Sequence, residues 1–146
     1  MNEKEENKAS SKKDKQITGL SGEYFVAAEL LKRDFQVSMT LGNAKSIDLI
    51  AISPETNIPY KIQVKTLRKK PNCFTLSIDK IVCDDFYFFV YLNSESETPE
   101  YHIIQGKELL SDLPHFYGAS IGRGDKRETV NHGPIQPHKN RWDKLK

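Results

Sequence analysis

The residues best suited to chemistry lie in two neighbouring runs, 43–52 and 60–66. In the first, one acid, Asp48, interrupts the apolar series Ile47, Leu49, Ile50, Ala51 and Ile52. In the second, alternation places Tyr60, Ile62 and Val64 on one face of a strand and Lys61, Gln63 and Lys65 on the other. The link between them, residues 53–59, is rich in turn formers, so the runs read as a hairpin. Such a hairpin brings Asp48, Gln63 and Lys65 together at one end of a sheet. A carboxylate, an amide oxygen and an ammonium gathered there suit a hard divalent cation and a phosphate.

Hydrolysing a phosphodiester needs a cation against the phosphoryl oxygens, an oriented water, and positive charge for the transition state. Asp48 and Gln63 would supply oxygen ligands, with the backbone carbonyl of Val64 as a third. Lys65 would hold the attacking water, lower its pKa or steady the developing charge; sequence does not choose among these. An ionised acid inside this apolar series costs several kcal/mol if buried without a partner, so Asp48 needs a cation or an edge position. Lys45 or Lys61 alone would satisfy it, and Lys61, Gln63 and Lys65 also read as the wet face of an ordinary amphipathic strand.

The elements that must position these groups follow from periodicity. Residues 18–34 read as a helix, with Thr18 or Ser21 as N-cap and Leu20, Tyr24, Ala27, Ala28 and Leu31 as its buried stripe. Glu23 borders that stripe, either as a first-turn acid favoured by the helix dipole or as a carboxylate leaning over the sheet. Residues 35–40 alternate as a strand with Phe35, Val37 and Met39 inward. With the Asp48 and Gln63 strands they form an antiparallel meander under the helix. Further strands are expected at 74–78, at 86–92 (apolar on both faces, hence central) and at 101–104. A short helix follows at 106–113, then a long loop at about 114–140 punctuated by glycine and proline. Trp142 is expected to pack back on the body. Residues 1–16 mix charges without periodicity and read as a flexible charged tail, leaving 17–146 as one domain.

The 146 residues carry a net charge of +2 with 29% charged side chains, weak evidence on its own for a polyanionic partner. No apolar run approaches the roughly 20 residues that span a bilayer, and no leader-like core is visible at the start. Cys73 and Cys83 have neither CxxC nor Cys/His ligand spacing, which points to reduced thiols and a cytoplasmic location. The histidines show no paired spacing for zinc. Two basic clusters stand out: Arg68, Lys69 and Lys70 directly after Lys65, and Arg123, Lys126 and Arg127 in the long loop. Such clusters contact phosphate without reading sequence, and each is also an ordinary solvated charge run.

The order Gly22-Glu23 on a first helix, then Ser46-Ile47-Asp48-Leu49, then Ile62-Gln63-Val64-Lys65 resembles the PD-(D/E)XK restriction-endonuclease-like superfamily. The resemblance covers residue 18 to about residue 110, and Arg141-Trp142-Asp143 also resembles small bacterial members. It implies an α/β fold: a helix, a three-stranded antiparallel meander and further strands in a mixed central β-sheet flanked by helices. It implies Asp48 as principal metal ligand, Lys65 as catalytic lysine, Glu23 as auxiliary acid, and Mg2+ as cofactor with Mn2+ able to substitute. The implied activity is endonucleolytic hydrolysis of DNA in defence or repair; RNA stays open, and a homodimer would suit double-strand cutting.

This chain departs from the family pattern at two places. Ile47 stands where many members have proline, and Gln63 replaces the commoner glutamate. An amide oxygen holds a cation more weakly than a carboxylate, yet the Q-x-K form occurs in active members such as the catalytic domains of methyl-directed restriction enzymes. On that footing Gln63→Glu is expected to preserve or raise activity. The alternative is a module that keeps the fold for nucleic-acid or protein binding without turnover.

Overall fold

The computed structural model describes residues 2–40 and 46–146. The turn expected at Leu41-Gly42-Asn43, together with Ala44 and Lys45, lies outside the described residues. Helix α1 (Glu3–Lys32) begins with Asn2, whose Oδ1 accepts from the Glu5 N–H at 3.0 Å. It therefore starts well before Thr18, and residues 3–16, expected as an irregular tail, are an exposed continuation of the helix. Thr18 is an interior helix residue facing the sheet, not a cap.

The buried side of α1 also differs from expectation. It runs through Thr18, Gly22, Val26 and Leu30 at four-residue spacing, with Ala27 beside them. Leu20, Tyr24 and Leu31, expected in the core, are 51%, 59% and 56% exposed. Counting apolar residues chose the wrong stripe because a threonine and a glycine occupy the buried one. Gly22 is there for room: a Cβ built on it would lie 1.8 Å from Thr66 Oγ1. Gly22→Ala is accordingly expected to destabilise the protein by about 1–3 kcal/mol, as overpacking does. Combining it with Thr66→Ala should return part of that loss in thermal denaturation, whereas an unaltered loss would place the contact elsewhere.

The strands are β1 (Gln36–Met39), β2 (Leu49–Ile52), β3 (Pro59–Leu67), β4 (Phe74–Thr75), β5 (Phe86–Tyr91), β6 (Glu100–Gln105) and β7 (Thr129–Val130). Five of them form one mixed sheet in the order β1-β2-β3-β5-β6. The pairs β1–β2 and β2–β3 are antiparallel, β3–β5 is parallel and β5–β6 is antiparallel, so the expected meander is present. β5 lies inside the sheet, between β3 and the edge strand β6, one place off the centre expected of it, and all six of its residues are buried.

One sheet face packs on α1 through Leu49, Ala51, Ile62, Val64, Phe86, Phe88 and Val90. Trp142 closes this core, set edge-on to Phe88 at 5.6 Å and Tyr101 at 5.3 Å between centroids, with the Arg33 guanidinium 4.0 Å over its ring. The other face carries Tyr87, Phe89, Tyr91 and Ile104 under α2 (Gly106–Ser111), α3 (Leu113–Tyr117) and α4 (His132–Ile135).

The long loop expected at 114–140 is largely structured. Phe116, Tyr117, Val130 and Ile135 are buried there, and β7 pairs with β4 in a separate two-stranded sheet. The strand expected at 74–78 shrinks to β4. No described helix is long and apolar enough to cross a membrane.

Candidate active site

Strand β2 begins only at Leu49, opposite Ile62, while β3 runs on to Leu67. Beyond Ile62 the edge of β3 that faced β2 is open among the described residues. Asp48 sits at this break. Its N–H donates to Ile62 O at 2.9 Å and its carbonyl accepts from the Thr40 N–H at 3.0 Å. In a regular antiparallel strand the N–H and C=O of one residue leave on the same edge. At Asp48 they reach opposite neighbours, so the pleat is broken there. The carboxylate does not stay on one face: Oδ2 accepts from the Val64 N–H at 2.7 Å, across the open edge. Because the Val64 N–H leaves on that edge, its carbonyl leaves there too.

Glu23 comes to the same place from α1. Burial, then the charge of the neighbouring Asp48 within hydrogen-bonding reach, pushes its carboxyl up to about 7. The first-turn reading of Glu23 falls away, because α1 begins at Glu3 and the residue lies deep inside it. The structure thus brings Glu23, Asp48 and the backbone of Val64 together.

Val64 also begins the lining of a cavity of about 700 Å3 along the open edge of β3. Its walls include Lys65 and Thr66, the α1 residues Asp14, Lys15 and Thr18, and Phe74 and Thr75 of β4. Lys65 is half-buried in this wall and makes no ion pair among the described residues. Its side chain leaves β3 on the face away from α1, level with Phe89 of β5. The acids and the lysine therefore do not share one face of the sheet; they flank its open edge.

Gln63 is placed differently from expectation. It follows Ile62, the last β3 residue paired with β2, but it is only 4% exposed and its amide is buried. Its Nε2 donates to Asp85 Oδ2 at 3.0 Å and to the Tyr87 hydroxyl at 3.1 Å. A carboxylate acceptor fixes the amide orientation, so Oε1 is turned away from Asp85. Asp85, 4% exposed, was not singled out in the sequence. The signal was present: an acid directly before a fully apolar strand invites the same question as Asp48.

The first basic cluster is partly neutralised. Arg68 pairs with Asp14 at 3.1 Å, and Lys70 pairs with Glu100, which Lys139 also approaches at 3.8 Å. Lys69 is exposed without an ion pair among the described residues. Arg123, Lys126 and Arg127 stand on an exposed turn. Glu128 pins that turn by accepting from the N–H groups of Ile78 and Gly122, each at 3.0 Å. The turn leads into β7, the partner of β4, and none of its three cations lines the cavity.

A hard divalent cation fits what is assembled here. The carboxylates of Glu23 and Asp48, with a strand carbonyl beside them, form an all-oxygen set. No group of three or more His, Cys, Asp or Glu in metal-binding array occurs among the described residues, so any such cation would keep several waters.

No protein-family model matches the chain, and no curated protein sequence matches it. Among solved structures, a bacterial homing endonuclease, I-Ssp6803I, is similar at 21% identity and a TM-score of 0.48. The similarity covers 66% of this chain and 72% of that one.

Proposed function

We propose that this chain is a divalent-metal-dependent endonuclease of the restriction-endonuclease-like kind, acting on DNA. One observation carries the reading: Glu23 and Asp48 meet at the open edge of β3, where Val64 bonds Asp48 and begins a cavity flanked by Lys15 and Lys65. In this reading Glu23, Asp48 and the Val64 carbonyl hold Mg2+, or Mn2+ in its place, which offsets charge on the phosphoryl oxygens and makes a bound water more acidic. Asp48 is kept in position by the Val64 N–H and by its own backbone bonds to Thr40 and Ile62. The cation would hold Glu23 ionised, against the rise to about 7 that burial and Asp48 impose on its carboxyl in the metal-free protein. Lys65, without an ion pair among the described residues, offers its ammonium to the charge that develops on the phosphate. Gln63 keeps β3 seated on β5, and its amide oxygen is the remaining polar group of the triplet. Lys69, Arg123, Lys126 and Arg127, exposed outside the cavity, would meet phosphates away from the scissile bond.

A nicking assay on supercoiled plasmid with Mg2+ or Mn2+ tests this directly. Asp48→Ala and Lys65→Ala should each lower the rate at least about 10²-fold, the scale of losing one charge-stabilising group. Cleavage that survives both changes would end the assignment; running single-stranded RNA beside the plasmid decides the substrate. The second reading, a binding module without turnover, draws on the engagement of Gln63 by Asp85 and Tyr87. It predicts duplex binding with no cleavage even in Mn2+.

A further inference from the structure

The side of α1 that is buried over the sheet does not stop where the sheet stops. Gly22 lies against Thr66, Thr18 is 8% exposed, and Lys15 lines the cavity. Stepping back along the same line by the helical intervals of four and three reaches Ser11, Lys8 and Lys4. The acids of this segment fall off the line: Glu3, Glu5 and Glu6 lie to its sides, and Asp14 is turned to Arg68. Beyond Asp14, which lines the cavity paired with Arg68, this mixed-charge segment therefore presents only lysine as charge along that line.

This overhang has no visible reason to be helical on its own. With 30 residues, α1 is about 45 Å long. Among the described residues, no hydrogen bond or ion pair joins residues 3–13 to the rest of the domain. A polar helix without tertiary support is marginal in water, and Lys4 and Lys8, one turn apart, repel each other. A polyanion laid along the line would relieve that repulsion and give the segment something to fold against.

We infer that Lys4, Lys8 and Lys15 form an arm that tracks the phosphate backbone of a nucleic acid whose scissile bond lies in the cavity; this rests on the proposed function above. A bilayer is the weaker fit. The exposed apolar residues Ile17, Leu20, Tyr24 and Leu31 lie on the opposite side of α1, so a membrane receiving them would face away from the lysines. The contacts are sequence-independent, since lysine on phosphate carries no base information.

The test is binding of a fluorescent DNA duplex to the full chain in EDTA, titrated with NaCl, so that cleavage plays no part. Each phosphate contact contributes about 0.9 to the slope of log affinity against log salt, so Lys4→Gln, Lys8→Gln and Lys15→Gln together should reduce its magnitude by about 2.7. Glu3→Gln, Glu5→Gln and Glu6→Gln, off the line, should leave the slope unchanged or steepen it. A triple lysine variant with the wild-type slope overturns the arm and leaves the nuclease reading standing. Wild-type protein that binds no duplex at low salt overturns both. Equal loss of binding to anionic phospholipid vesicles, with duplex binding intact, would assign the stripe to a membrane surface instead.

Discussion

Gln63→Glu is expected to destabilise the protein by about 3–5 kcal/mol, the scale of leaving a buried charge without its partner. On sequence alone a glutamate at this position reads as harmless or helpful. Asp85 reverses that expectation. It is 4% exposed and accepts from Gln63 Nε2 at 3.0 Å, so a second carboxylate would replace its donor with a like charge. The amide stands in the triplet because the neighbouring strand already carries the acid. Asp85→Asn removes the charge and weakens the bond by about 1–2 kcal/mol.

The double variant, Gln63→Glu with Asp85→Asn, should recover most of the loss, because the asparagine then donates to the glutamate. Tyr87 can follow the exchange. Its oxygen accepts from the Val82 N–H at 2.9 Å and from Gln63, so its own proton is available to a carboxylate at 63. Chemical denaturation of the four proteins closes a cycle whose interaction energy should be at least about 2 kcal/mol in favour of the swapped pair. Additive losses would show that Gln63 and Asp85 do not act as a unit. Any gain in cleavage from a glutamate at 63 is expected only in the swapped protein.

What could be read from the sequence was what depends on local pattern or on an expensive exception. Asp48 was visible because an acid in an apolar series demands a partner. The meander and the buried inner strand were visible because period two and unbroken apolarity are local signals. What escaped was non-local. The acids that neutralise Arg68 and Lys70 are Asp14 and Glu100, far away in sequence, and no spacing rule connects them.

The buried side of α1 was misread because Gly22 is there for closeness to Thr66 and Thr18 is buried despite its hydroxyl, neither of which hydropathy registers. The same error hid Lys15: a segment read as irregular has no faces, so its lysines could not be aligned with the site. Of the site itself, the structure sets Asp48 against the Val64 N–H, while the Gln63 amide is turned to Asp85 and Tyr87.

Glu23→Gln is expected to raise the melting temperature of the metal-free protein at pH 8 and to leave it nearly unchanged at pH 4. The cause is the carboxyl pushed up to about 7 by burial and by Asp48, against an ordinary value of 4.5. Between those two values the unfolded chain has released a proton that the folded protein still holds, so unfolding is favoured as pH rises through the window. The contribution of Glu23 to stability is thus fully present below about 4.5, declines through 7 and is lost above it; glutamine, which does not titrate, lacks the decline. A divalent cation acts in the opposite direction by binding the ionised pair. At 100 times its dissociation constant it stabilises the folded state by about 2.7 kcal/mol. Mg2+ should therefore raise the melting temperature of wild type at pH 8 and do little for Glu23→Gln or Asp48→Asn. Thermal scans from pH 4 to 8, in EDTA and in Mg2+, read both effects. A Glu23→Gln protein that is less stable than wild type at every pH would mean that ionised Glu23 makes a stabilising contact that outweighs its burial and its repulsion from Asp48. Parallel wild-type and variant curves, with no response to metal, would remove the acidic pair from the chemistry altogether.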